Sequence, residues 1–542
     1  MRFVNNTVGD IMYNKMFSRR AAICFFVITF LLLSCILRIA VIAVGNYSVV
    51  QNEQSNYKIT LKGNRGTIYD CKERAITNNE TAIIAAISPT PQAITCISTL
   101  LSGDRLDTVL SDLKDGKPTV CEVPREIACD GIAYTKIYKN TLDGKFLCHA
   151  IGYTDNAGHG VSGLQYYYDE LLYNEKGTSA HFTVSGKGDV LSGIEPYFIS
   201  SPKAISSGVV TTLDIDIQSV AEQAAVGLTA GAVLVADAKN GKIRAMVSMP
   251  QYDINSVEKS LDAENSPLIN RSIMAFSVGS IFKPCVAAAA IECGMSDFCF
   301  NCVGKTHIID REFNCHKRDG HGLMDLRMAL ANSCNCYFYN FAIKIGGEKL
   351  YKMASSAGFG SEIEIAQNMS VASGSITARK KLTNDAFLAN LSIGQGDLSA
   401  SPVAMLQLYC AIANDGTYKT PSLIEKTINN GKGETYRASA PTRIMSEKTV
   451  RILRDCLVSV VTDGTGTDAA PTLCSAAGKT ATAQTGRFNE NGVEITNSWF
   501  CGFFPAEEPR YVVIVMSDGT AQKSTARIFS EIADGVTKLF MN

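Results

Sequence analysis

The chain has 542 residues, with 51 Lys and Arg against 52 Asp and Glu, so its formal net charge at pH 7 is −1. That balance, with no basic stripe, excludes a nucleic-acid partner. The length calls for two or more domains, and 18 cysteines are a count that needs a chemical explanation.

In chain order, residues 21–37 form an almost unbroken apolar run that residues 39–44 prolong after Arg38, which together suffice to cross a bilayer. Lys15, Arg19 and Arg20 precede it. The positive-inside rule then predicts a cytoplasmic tail over 1–20, a single transmembrane helix over 21–44 and export of the remainder from the plasma membrane. A cleaved signal peptide is the rival reading, but the segment is long and no convincing small-residue cleavage site follows it. Residues 46–203 are strand-rich, as at 67–69, 82–88 and 181–185, and hold no catalytic constellation. Ile205-Ser206-Ser207-Gly208 reads as a linker, which divides the exported part into 45–205 and 206–542. Beyond it, strands such as 232–236 and 510–516 alternate with helical runs at 215–228, 401–414, 446–461 and 525–540. This pattern predicts an α+β domain in which helices cover an antiparallel sheet.

Three motifs in this second region share one chemistry. Ser280-Ile281-Phe282-Lys283 places a serine and a lysine three apart at the start of a helix, on one face, where the lysine can take the serine's proton if burial keeps it neutral. Gly279 permits a tight entry turn, and the apolar run 286–291 gives a buried helix. The spacing alone is weak; its partners strengthen it. Ser333-Cys334-Asn335 offers a second hydroxyl to relay a proton and a carboxamide to hold a peptide or Lys283. In the strand-like Gly478-Lys479-Thr480-Ala481-Thr482, Lys479 can attract a substrate carboxylate and Thr480 can hydrogen-bond it.

Between the first two motifs lies a loop-rich insertion. Cys299-Phe300-Asn301-Cys302 is followed by Cys315-His316 and His321, a pattern suited to a structural zinc on Cys299, Cys302, Cys315 and His321, with His316 as the alternative fourth ligand. A Cys302 to Cys315 disulfide stands as the competing reading. Other cysteines, such as Cys24, Cys285, Cys410 and Cys456, lie in apolar or helical runs and read as small buried hydrophobes.

The order S-x-x-K, S-x-N, K-T-x resembles the penicillin-binding proteins and serine β-lactamases. The resemblance extends to class B penicillin-binding proteins through Arg65-Gly66-Thr67-Ile68-Tyr69-Asp70, through Gly160 to Asp169 with Gln165 where glutamate is usual, and through Thr212-Leu213-Asp214, Ile393-Gly394-Gln395-Gly396 and the sole tryptophan, Trp499. It implies a membrane-anchored pedestal and a serine-transpeptidase domain that crosslinks peptidoglycan stem peptides without a catalytic cofactor. Ser280 would be the nucleophile, Lys283 its base, Ser333 the relay and Asn335 the amide clamp, with Lys479 and Thr480 on the carboxylate and the N–H groups of Ser280 and Thr482 as oxyanion hole. β-Lactams would be trapped at Ser280, and a membrane-embedded glycan polymerase would be the partner. The carboxy-terminal β-rich repeats of some relatives are not seen. Ala481 stands where the family has glycine, and a methyl facing the cleft would crowd the acyl group. Two alternatives follow: a weakly active or inactive scaffold of a cell-wall synthesis complex, or a penicillin-binding sensor.

Overall fold

The computed structural model describes residues 6–44, 56–61, 65–139, 144–173, 177–200, 207–437 and 439–541. The first residues assigned to the pedestal, 45–55, and residues 205 and 206 of the expected linker lie outside these. Helix α1 (Asn6–Val44) contains the segment Ser18–Val41, whose mean hydropathy of 2.6 and 24 residues make it long and apolar enough to cross a membrane.

The chain forms two compact units that interleave along the sequence. The first comprises residues 1–61, 82–136 and 178–200; the second comprises 62–81, 137–177 and 201–542. Residues 62–81 join the second unit through strand pairing: strand Thr67–Tyr69 pairs in parallel with Gly208–Thr211, which pairs on its other side with Ile424–Asn429. Side chains reinforce this within the second unit. Arg65 is buried against Asp169 at 2.6 Å and donates to the Gln165 backbone at 2.7 Å. Lys72 and Arg74 bind Asp214 and Asp216 at about the same range, 2.9–3.1 Å. Asp214 also caps the helix that follows by accepting from the Asp216 N–H.

In the first unit, strand Glu80–Ile87 is central to a three-stranded sheet with Thr119–Val123 and Ile132–Lys139. Ala85, Ile87, Ala93, Ile97, Val109, Leu113, Val123 and Ile132 close its core against two helices, Pro91–Ser98 and Asp104–Lys114. A disulfide joins Cys96 to Cys129.

The second unit is organised on a five-stranded antiparallel sheet. Helix α2 (Ile215–Ala225) leads into β1 (Gly231–Asp237) and β2 (Ile243–Met249). Then come α3 (Lys283–Glu292), α4 (Leu326–Ala331), α5 (Asn335–Ile345), α6 (Pro402–Ala413) and α7 (Glu447–Thr462). Strands β3 (Ala477–Phe488), β4 (Glu494–Phe504) and β5 (Tyr511–Asp518) and helix α8 (Thr525–Leu539) close the unit, with sheet order β2-β1-β5-β4-β3. Side-chain alternation explains the apolar runs: Val233, Val235, Val513 and Val515 face Phe529 and Ile532 of α8, whereas Leu234, Ala236, Ile514 and Met516 join the core that holds α3 and α6. Both faces of the sheet are therefore covered. Helix α3 is buried from Lys283 to Ile291, as an all-round apolar helix must be.

Candidate active site

The turn Gly279–Phe282 is a single 3-10 turn that runs directly into α3, so Ser280 sits just before the helix and Lys283 opens it. Gly279 has φ 66°, and its N–H donates to the Gly394 carbonyl at 2.9 Å, which gives the Ile393 to Gly396 string its structural meaning. The turn is fixed from two more sides: Trp499 Nε1 donates to the Ser277 carbonyl at 2.9 Å and the Tyr409 hydroxyl to the Ile281 carbonyl at 3.1 Å.

Lys283 is fully buried. Its Nζ donates to the Ser333 carbonyl at 2.6 Å, to Asn335 Oδ1 at 2.7 Å and to Ser333 Oγ at 3.1 Å. Burial pulls its pKa down to about 7, against an opposing pull from the nearby Cys334, Cys315 and Cys336 sulfurs. Ser333 makes this convergence possible, because its left-handed φ of 54° turns the chain out of α4 before α5 begins at Asn335. Such a backbone in a non-glycine residue costs on the order of 1 kcal/mol and persists where surrounding bonds fix it.

Strand β3 supplies the third side. Lys479 is fully buried, its Nζ donating to the Thr480 carbonyl at 3.1 Å, and burial together with the Lys283 charge holds its pKa well below the usual lysine value. Thr480 Oγ1 meets Thr465 Oγ1 at 2.9 Å, a contact no motif signals. Ser280, Ser333, Asn335, Thr480, Thr482 and Trp499 line one cleft of about 1090 Å³, with both lysines beneath it. The structure thus brings together Ser280, Lys283, Ser333, Asn335, Lys479, Thr480 and Thr482, all read from sequence.

Ala481 shares the buried face of β3 with Lys479, as strand alternation predicts, but its methyl also packs beneath the Gly279–Phe282 turn. A Cβ built on Gly279 would lie 3.3 Å from Ala481 Cβ and 3.0 Å from Ala483 Cβ. Enlarging this side chain should push the turn rather than fill free space. Ala481→Val is expected to cost about 1–3 kcal/mol in strain, read as a loss of stability in denaturant unfolding of the full chain.

The insertion between the motifs is one hairpin enclosed by an outer antiparallel strand pair. Phe300–Cys302 pairs with Gly322–Met324, and Lys305–Ile308 pairs with Arg311–Asn314. Here the sequence reading needs correction: Cys299 is exposed and stands outside the cysteine cluster. A C-x-x-C pair grips one ion from a turn, but Cys302 is in a strand, where residues three apart point to opposite faces. Cys334, the middle residue of the S-x-N motif, takes the place of Cys299. The Cys302, Cys315 and Cys334 sulfurs and His321 all lie within 4.8 Å of one another. Cys302 and Cys315 are both free thiols in the structure, so they form no disulfide with each other. Hydrogen bonds from Cys334 and Cys336 favour ionisation of Cys315 and oppose that of its two donors. His316 lines the cleft, its ring 5.0 Å from that of His321.

Comparison with known proteins follows this geometry. The family described as penicillin binding protein transpeptidase domain matches residues 231–534, more than half of the chain. Stage V sporulation protein D of Bacillus subtilis is 30% identical over 400 residues, covering 70% of this chain and 60% of that protein. Peptidoglycan D,D-transpeptidase MrdA of Acinetobacter baumannii is 26% identical over 417 residues, 69% of this chain and 60% of its own. The chain thus matches about 60% of the length of these relatives. Among solved structures, penicillin binding protein 3 of Mycobacterium tuberculosis complexed with aztreonam superposes with a TM-score of 0.64 at 24% identity, covering 90% of this chain and 97% of that one. This likeness shows the fold.

Proposed function

The chain belongs to the penicillin binding protein transpeptidase domain family, and on that premise we propose that it is a peptidoglycan D,D-transpeptidase that crosslinks stem peptides through an acyl-enzyme on Ser280. The observation that carries this reading is the convergence of the Ser333 carbonyl, Ser333 Oγ and Asn335 Oδ1 on a buried Lys283 Nζ whose pKa falls to about 7. A lysine so placed is neutral in part of its population at neutral pH and can accept the Ser280 proton.

In the proposed reaction, Ser280 Oγ bonds to the carbonyl carbon of the penultimate D-alanine while its proton passes to Lys283. The carbonyl oxygen becomes an oxyanion between the N–H groups of Ser280 and Thr482. The proton on Lys283 passes through Ser333 Oγ to the departing amine, the C–N bond breaks, and D-alanine leaves. Asn335 holds the substrate amide, and Lys479 and Thr480 hold the terminal carboxylate. An amine from a second stem peptide then attacks the ester and regenerates Ser280. Family members need no cofactor for this chemistry.

The segment Ser18–Val41 acts in this reading as a single-pass plasma-membrane anchor, with Lys15, Arg19 and Arg20 keeping the short tail in the cytoplasm and the catalytic domain outside. The region 45–205 serves as a pedestal, 206–542 as the transpeptidase domain, and a membrane-embedded glycan polymerase supplies the strands to be crosslinked. A fluorescent penicillin tests the central claim: a covalent, stoichiometric adduct on the intact chain is expected. A chain that remains unlabelled would favour the scaffold alternative.

A further inference from the structure

We propose that Cys302, Cys315, Cys334 and His321 bind one structural zinc ion, and that this ion holds the Ser333-Cys334-Asn335 turn in place against Lys283. The metal site stands apart from the transpeptidase reading; its catalytic consequence rests on that reading.

The donor set is three thiols and an imidazole, the borderline-soft chemistry that zinc prefers. Cys302, Cys315 and Cys334 are at most 2% exposed, so an arriving ion would exchange water for a complete protein shell. Spacing agrees with a single ion. Cys315 Sγ lies 3.9 Å from Cys334 Sγ, and His321 Nδ1 lies 3.6 Å from Cys302 Sγ and 3.5 Å from Cys315 Sγ. Zinc bonds of about 2.3 Å to sulfur and about 2.0 Å to nitrogen, set tetrahedrally, give edges of about 3.8 Å and about 3.5 Å. A disulfide would need sulfurs at about 2.05 Å.

The local fold serves the cluster. Gly320 has φ 81°, and a Cβ there would lie 2.2 Å from the Cys302 carbonyl, so only glycine lets the loop carrying Cys315 and His321 close onto the Cys302 strand. The insertion leaves Val303, Ile309 and Leu323 each more than 60% exposed and is anchored to the core by Ile308 and Met324, so a metal centre would add a second anchor at the Cys302 end. Its fourth side is the catalytic turn: Cys334 lies between the two residues that bond Lys283 Nζ. Cys334 is therefore a positioning residue for Ser333 and Asn335.

Metal analysis of the full chain, purified in detergent under reducing conditions, should find about one equivalent of zinc. Less than about half an equivalent overturns the site, and a Cys315 to Cys334 or Cys302 to Cys315 disulfide in the peptide map would identify what replaces it. Cobalt(II) added to the zinc-stripped chain should give the intense thiolate charge-transfer and d–d bands of tetrahedral coordination; a weak octahedral spectrum contradicts the ligand set. Cys302→Ser and His321→Ala should lose zinc, whereas Cys299→Ser should keep it, and loss on Cys299→Ser would restore the ligand set read from spacing alone. For the positioning role, zinc removal below the unfolding temperature of the stripped chain should slow penicillin acylation of Ser280 by about 10- to 100-fold, reversibly on zinc addition. Cys334→Asp, which keeps a ligand, should retain zinc and acylate several-fold faster than Cys334→Ala; equal rates would overturn the positioning role. No labelling of the zinc-loaded chain would instead count against the transpeptidase reading and leave the metal count standing.

Discussion

Ser280→Ala should abolish covalent labelling of the chain by penicillin, a loss of at least about a thousandfold, while leaving thermal unfolding within about 1 °C of the unchanged protein. The magnitude follows from the kind of interaction removed. Lys283, Ser333 and Asn335 would still converge on one another, and Lys479 and Thr480 would still face the cleft, so reversible binding of a carboxylate-bearing ligand survives. Ser333 is the nearest rival because its Oγ accepts from Lys283 Nζ at 3.1 Å, but it is 9% exposed and held by the left-handed turn. Stability is spared because the turn's backbone is held by the Gly394 carbonyl and by the Trp499 and Tyr409 side chains, none of which uses the Ser280 side chain. Mass spectrometry of the labelled, digested protein locates the adduct. Label on another serine, or label that survives Ser280→Ala, would remove Ser280 from its role.

What could be read from the sequence was what local periodicity and local chemistry encode. Strand β1 was legible because its apolar run is buried on both faces, and the Ser280 turn because glycine, serine, lysine and an alanine-rich helix all lie within a dozen residues. Expected strands at 67–69, 232–236 and 510–516 and helices at 215–228, 401–414, 446–461 and 525–540 lie within a few residues of the observed ones. The interleaving of the two units was not legible, since the parallel pairing of Ile68 with Val209 joins residues far apart in sequence and leaves no periodic trace. The Cys96 to Cys129 bond was equally silent, because spacing does not fix connectivity among 18 cysteines. Cys334 was hidden for another reason. It lies between Ser333 and Asn335, whose roles account for the S-x-N spacing without the middle residue. Cys299 was over-read because a C-x-x-C spacing implies a turn only where the chain turns, and here it enters a strand.

The acylation rate should rise with pH through a midpoint near 7 and level off about one unit higher, with Lys283 as the titrating group. The direction follows from the role. An ordinary lysine, near 10.5, would be almost wholly charged at neutral pH and unable to take a proton; burial favours the neutral amine and moves the transition down to about 7. Below the midpoint the ammonium has three protons for three acceptors, the Ser333 carbonyl, Ser333 Oγ and Asn335 Oδ1, and no lone pair for Ser280. Above it one donor is given up and the lone pair is free. Lys479 reinforces the order of events, because its charge and that of Lys283 oppose each other, and substrate carboxylate entering beside Lys479 offsets that cost. Lys283→Met should therefore slow acylation by about 10²–10⁴-fold, the span of a lost general base. Lys283→Arg is the sharper variant: it keeps the positive charge but cannot deprotonate in this range, so the rate should stay low and the step near pH 7 should vanish. Stopped-flow labelling from pH 5.5 to 9 measures both, and a step that persists in Lys283→Arg would assign the titration to another group.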